Sequence, residues 1–217
     1  MILDLVIIAL AISLEPVPLT AFILILASKN GTRKGAAFVS GWVLSLAIVV
    51  AVTLLATGNS PPKSNTAPSL AALAVKITIG VALVVIAVRQ YRRLGKPKKP
   101  KKAPKWQMGI DNMSPLYAAG LATLVQPWGL IAAGVATIVE AKLASWKDYV
   151  AIIVFCLLAT GTYLAIEIYA LVRPKESLAF LARLRAWIDA HTDQIIILVS
   201  VTVGLWLIGK SIYLLVT

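Results

Sequence analysis

The chain has 217 residues, 59% of them hydrophobic and 14% charged, with a mean hydropathy of +0.88. Soluble domains carry roughly a quarter of their residues as Asp, Glu, Lys and Arg, so a water-coated globule is excluded. The net charge of +12 would raise nucleic acid as a partner in a soluble chain, but here the bases gather between apolar runs. They read as topology signals and contacts to anionic membrane lipid, and nucleic acid is set aside.

Six apolar runs are long enough to cross a bilayer as helices: 2–27, 36–55, 68–88, 116–139, 149–172 and 195–216. At about 20 residues per crossing they fill most of the chain. Helices are required because the bilayer core offers no water to backbone N–H and C=O groups, and no run shows the two-residue alternation of a barrel strand. The fold class is therefore an all-α membrane protein with six transmembrane helices.

The first run begins after Met1 with no Lys or Arg ahead of it, unlike the basic start of a cleaved leader, so it is expected to stay in the mature protein. Midway along it stands Glu15-Pro16-Val17-Pro18. Proline has no N–H and crowds the carbonyl four residues earlier, so Pro16 and Pro18 leave the carbonyls of Ile12 and Leu14 without helical partners near the bilayer midplane. Such oxygens need another helix, a water-filled cavity or a ligand, and broken helices at this depth line transport sites. An ionised Glu15 in a span costs about 3 kcal/mol on insertion scales, so it is expected to face the interior, be protonated or pair with a cation. Lys76, about 12 Å into the third run, matches its depth, and a Glu15–Lys76 pair is expected.

Of the 21 Lys and Arg, sixteen lie in the first, third and fifth connections and three in the second and fourth. The positive-inside rule puts both termini outside and the basic third connection in the cytoplasm. That connection, Gly95-Lys96-Pro97-Lys98-Lys99-Pro100-Lys101-Lys102-Ala103-Pro104-Lys105, combines like-charge repulsion with proline and reads as an extended tether that touches acidic headgroups.

After the tether the pattern returns. Gln126-Pro127-Trp128-Gly129 lies midway along the fourth run, displaced by 111 positions from Glu15-Pro16-Val17-Pro18, and Pro127 leaves the Thr123 carbonyl without a helical partner. The same displacement brings Phe38 opposite Tyr149. Three runs per half is an odd number, so the second copy must enter from the opposite side, giving two inverted three-helix repeats. The organisation is 1–94 for the first repeat, 95–110 for the tether and 111–217 for the second repeat. Near 177–190, Leu178, Leu181, Leu184 and Ile188 recur at helical spacing, which predicts a short amphipathic helix on the membrane surface.

Glu167 and Lys210 stand near run ends and are expected to snorkel to an interface. Cys156 is alone and His191 has no companion at metal spacing, so no metal or cofactor is expected. No nucleophile with a base and no nucleotide motif is present, so the chain reads as no enzyme. Gly204 and Gly209 suit helix contacts within one chain or between copies, which leaves a homodimer open.

Six spans in two halves, the breaks at Glu15-Pro16-Val17-Pro18 and Gln126-Pro127, the basic turn Asn30-Gly31-Thr32-Arg33-Lys34-Gly35 before Phe38-Val39-Ser40-Gly41-Trp42, and the Lys-rich loop together resemble the lysine exporter (LysE) superfamily. The chain is most similar to its GAP family, the peptidoglycolipid addressing proteins. That resemblance implies an inner-membrane exporter of a small or amphipathic solute, such as an envelope lipid or its precursor, or a non-transporting accessory protein that scaffolds glycolipid export. It implies that the broken segments Glu15 to Pro18 and Gln126 to Gly129 line a central site; with Lys76 added from its depth, the candidate substrate or ion site is Glu15, Pro16, Pro18, Lys76, Gln126, Pro127 and Trp128. Glu-Pro stands where the superfamily's amino-acid exporters more often have Asn-Pro or Gly-Pro, which points away from an amino-acid substrate.

Overall fold

The computed structural model describes residues 2–56, 70–94, 109–140 and 146–216. The central basic tether, apart from its last two residues, and the connections that hold Lys63 and Lys142 lie outside the described residues. Eight α-helices are described: α1 (Ile2–Ser13), α2 (Pro16–Leu26), α3 (Gly31–Ala56), α4 (Leu70–Tyr91), α5 (Pro115–Val125), α6 (Trp128–Glu140), α7 (Trp146–Val172) and α8 (Pro174–Val216). A 3₁₀ turn, Ile110–Asn112, precedes α5.

α3, α4, α7 and α8 are each long and apolar enough to cross a membrane. α1 with α2, and α5 with α6, pass the same test only as bent pairs, with angles of 49° and 68° at their breaks. The chain is thus a multi-pass membrane protein. Its outer surface agrees: Leu44, Ile48, Val52 and Leu55 on α3 are 53–82% exposed, an arrangement stable against acyl chains and not against water.

Local chemistry sets the breaks. Pro16 and Pro18 occupy the first turn of α2, where N–H groups have no helical acceptor, and Glu15 is its N-cap in extended geometry (φ −62°, ψ 121°). The prolines therefore start a second half-helix, and the Glu15 amide reaches back to the Ile12 carbonyl at 3.4 Å. Gln126 takes the same extended geometry (φ −57°, ψ 142°) after α5, and Pro127 leads into α6. Between α2 and α3 the chain reverses through Asn30 at φ 55°, a left-handed conformation Asn tolerates. Gly31 follows because a Cβ there would lie 1.9 Å from the Leu26 carbonyl oxygen.

The helices pack as reciprocal pairs. α1 lies on α7 and α5 on α3; α2 lies on α8 and α6 on α4; α1 meets α6 and α5 meets α2; α2 touches α7 and α6 touches α3. The pairs α3–α7 and α4–α8 join like-numbered helices of the two halves. Contacts α2–α3, α7–α8 and α1–α8 have no counterpart of similar extent. At α4–α8 the backbones nearly touch: a Cβ on Gly80 would sit 2.9 Å from the Gly204 carbonyl oxygen, and one on Gly204 would sit 2.9 Å from that of Gly80.

The segment expected as a separate surface helix is the first part of α8, which runs unbroken for 43 residues, about 65 Å. Of the predicted stripe Leu181 and Ile188 are buried and Leu184 is half-buried, while Leu178 stays exposed, so the stripe faces protein only in part. Phe180 packs edge-on against Tyr169 of α7 at 4.9 Å. Lys210 also departs from expectation: it pairs with the buried Asp4 carboxylate of α1 instead of reaching for an interface. Trp206 donates to the same carboxylate at 2.8 Å, tying α8 to the start of α1.

Candidate functional site

The two breaks are the only points among the described membrane segments where α-helix stops within a span, and the side chains there are polar. Gln126 is buried at 4% exposure. Its amide donates to the Trp42 carbonyl oxygen of α3 at 3.1 Å, and its Oε1 accepts from the Ser45 hydroxyl at 2.8 Å. Glu15 is half-buried and makes no side-chain cap. Gln126 thus ties the second break to α3, the long unbroken helix of the other half.

Between α3 and α7 stands an aromatic cluster. Tyr163 and Trp42 have ring centroids 4.6 Å apart, so α7 and α3 meet there through an aromatic contact. Phe22 of α2 packs edge-on against Tyr163 at 5.5 Å, and Phe38 lies 5.3 Å from Phe22 and 6.2 Å from Trp42. All four rings are 0% exposed. Across α1 and α7, one turn from this cluster, the Ser13 and Thr162 hydroxyls share a hydrogen bond of 2.5 Å.

The cluster carries unsatisfied polar atoms. Trp42 Nε1, Tyr163 Oη and both carboxylate oxygens of Glu167 are buried with no hydrogen-bond partner among the described residues. Each such donor or acceptor costs about 1–3 kcal/mol if nothing meets it. Four in one region are atoms that water, a proton or a ligand head could satisfy. No three His, Cys, Asp or Glu side chains converge as metal ligands among the described residues.

Of the residues the sequence singles out, Glu15, Pro16, Pro18, Gln126 and Pro127 stand at the breaks, with Pro16 and Pro18 buried. Lys76 is buried on α4, which packs on α8 and α6, and it makes no ion pair with Glu15. Equal depth does not imply equal azimuth: α4 has no extensive contact with α1 or α2. Trp128 is 44% exposed and lies at the apolar surface. Glu167 does not snorkel; it is 5% exposed and packs against Gly35, where a Cβ would lie 2.2 Å from its Oε2.

Sequence reasoning missed Tyr163, Ser45 and the role of Trp42. Trp42 stood in the Phe38–Trp42 motif, and its four-residue spacing from Phe38 puts both on one helix face. Tyr163 and Ser45 carry no such signal.

A family model described as Sap, sulfolipid-1-addressing protein (SfLAP) matches residues 5–213, a stretch that takes in both breaks and every helix of the site. The chain belongs to the sulfolipid-1-addressing protein family. No curated protein and no solved structure matches it. The SfLAP match makes this a member of a lipid-addressing family with its polar groups at two interrupted spans.

Proposed function

We propose that this SfLAP protein is a secondary carrier, and no enzyme, that exports an amphipathic envelope lipid of the sulfolipid class across the bacterial inner membrane. In this reading two inverted three-span repeats, of the kind the lysine exporter resemblance implies, rock against one another around the proline breaks. Both termini lie outside and the basic connection in the cytoplasm, where it attracts anionic lipid.

One observation carries the reading: two bent spans, one in each half, with a polar residue at each break, of which Gln126 reaches across to the long helix of the opposite half. Reciprocal packing of α1–α7 with α5–α3, and of α2–α8 with α6–α4, supports the repeat. The family description supports the lipid. The four rings packed between α2, α3 and α7 then form the closed gate of an occluded conformation.

The test is lipid flipping in proteoliposomes that hold the purified chain and a fluorescent sulfated glycolipid, read with a membrane-impermeant quencher. The carrier reading expects flipping above protein-free vesicles, with selectivity over a zwitterionic phospholipid, and its loss in Gln126→Leu. Folded protein that gives no flipping above empty vesicles overturns it.

The dry, filled packing of Phe22, Phe38, Trp42 and Tyr163 favours a second reading, an accessory protein that scaffolds a lipid-export assembly. In that case vesicles stay inactive with this chain alone, while the chain binds the export machinery.

A further inference from the structure

We propose that Glu167 is a proton-binding site of this protein, holding its proton while α2, α3 and α7 are packed together and releasing it when they part. The inference rests on the carrier reading and supplies its coupling ion. Glu167 stands five residues before the end of α7, about 8 Å along the helix from the membrane face that carries the α2–α3 turn. Its Oε2 and the Leu26 Cδ2 of α2 lie 2.2 and 2.6 Å from the point a Cβ on Gly35 of α3 would occupy, so the carboxyl group is packed between α2 and α3. Both oxygens are buried and have no hydrogen-bond partner among the described residues.

The surrounding charges are engaged elsewhere. Lys34, on α3 beside Gly35, gives its ammonium to the Ser28 hydroxyl at 3.2 Å, the Ile110 carbonyl at 2.8 Å and the Asp111 carbonyl at 3.0 Å. The Asp111 carboxylate takes the Lys29 backbone N–H. α2 has no titratable residue, and at the start of α8 Lys175 and Glu176 are exposed, with Glu176 held by Arg173. α1 contributes Asp4, paired with Lys210, and leads to Glu15. A carboxylate stripped of water, hydrogen bonds and counter-charge is far less stable than the neutral acid.

Parting α3 from α7 lets water reach the carboxyl group, which then ionises; the proton passes to water at that face, and reclosure requires its return. One turn inward on the same helix stands Tyr163, whose hydroxyl is also buried with no hydrogen-bond partner among the described residues.

Two measurements on the full-length chain test this. In the vesicle assay, wild-type flipping should change about tenfold per pH unit on the acidic side of the titration, the slope of one released proton. Glu167→Gln, which mimics the neutral acid, should flip slowly and without pH dependence, and Glu167→Asp, which keeps a proton site, should restore the slope. Independently, infrared difference spectra should show the carbonyl stretch of a neutral carboxylic acid that persists in Glu15→Gln and vanishes in Glu167→Gln. A Glu167→Gln protein with the wild-type pH slope, or an acid band unchanged by that substitution, overturns the proposal. A Glu167 acid band in a chain that moves no lipid refutes the carrier and leaves the proton site standing.

Discussion

Gly41→Ala tests the close packing that holds the second break in place. Gly41 lies on α3 opposite α5, and a Cβ there would come 2.4 Å from the Ala119 carbonyl oxygen, 2.7 Å from its Cα and 2.9 Å from its carbonyl carbon. All three atoms are backbone, so no side chain can swing aside and the two helices must separate by about 1 Å. A gap of that size forfeits a quarter to a half of each van der Waals contact across it, and overpacking of this kind costs about 1–3 kcal/mol. The same movement draws Gln126 away from Trp42 and Ser45, one to two turns along the two helices, for about 1 kcal/mol more at membrane hydrogen-bond strength. Against this, Ala gains about 1 kcal/mol over Gly in helix propensity. The net expectation is about 1–3 kcal/mol of destabilisation, read by equilibrium unfolding in mixed micelles. Gly209→Ala is the control: it lies within α8 with nothing near its Cβ, and should be neutral or stabilising by up to about 1 kcal/mol. If Gly41→Ala unfolds at the wild-type midpoint, α3 and α5 are not in contact as described and the site geometry falls with them.

Two further outcomes follow from single features. Asn30 sits at φ 55°, so Asn30→Val should destabilise by about 1–2 kcal/mol while Asn30→Gly stays within about 0.5 kcal/mol of wild type in the same unfolding assay. Lys210→Met removes the cation nearest the buried Asp4 carboxylate and should cost about 1–3 kcal/mol, below the usual range for a buried pair because Lys210 is one-third exposed and Trp206 remains. Adding Asp4→Asn to Lys210→Met should recover part of that loss, which double-mutant unfolding would measure.

The spans were legible because hydrocarbon thickness imposes a length that apolar runs must meet, and the breaks because proline acts on its own backbone. Both signals are local. What escaped the sequence was azimuth. Glu15 and Lys76 share a depth that residue counting supplies, but which way each points depends on neighbours packed from distant parts of the chain. Glu167 failed for the same reason: five residues from the end of α7 it has the reach to snorkel, and only Gly35 and Leu26 opposite show that it turns inward. The continuity of α8 did leave a trace. No Pro or Gly falls between Pro174 and Gly204, so nothing separates the amphipathic stretch from the last span.

The two halves meet in two chemically different ways. At Gly80 and Gly204 backbone lies against backbone, with 2.9 Å between an added Cβ and the opposing carbonyl oxygen, so helices there can turn but cannot come closer. At Trp42 and Tyr163 two large rings meet at 4.6 Å, each with a polar hydrogen that has no partner among the described residues. Parting the rings loses aromatic contact worth about 0.5–1.5 kcal/mol beyond the area buried, but admits water to the indole N–H and phenol O–H, which returns about 1–3 kcal/mol for each. The terms have opposite sign, so hydration of the two groups offsets part of the cost of parting the rings, whereas at the glycine crossing backbone packs directly on backbone. In the carrier reading proposed above, motion between the halves opens at the aromatic pair and pivots at the glycines.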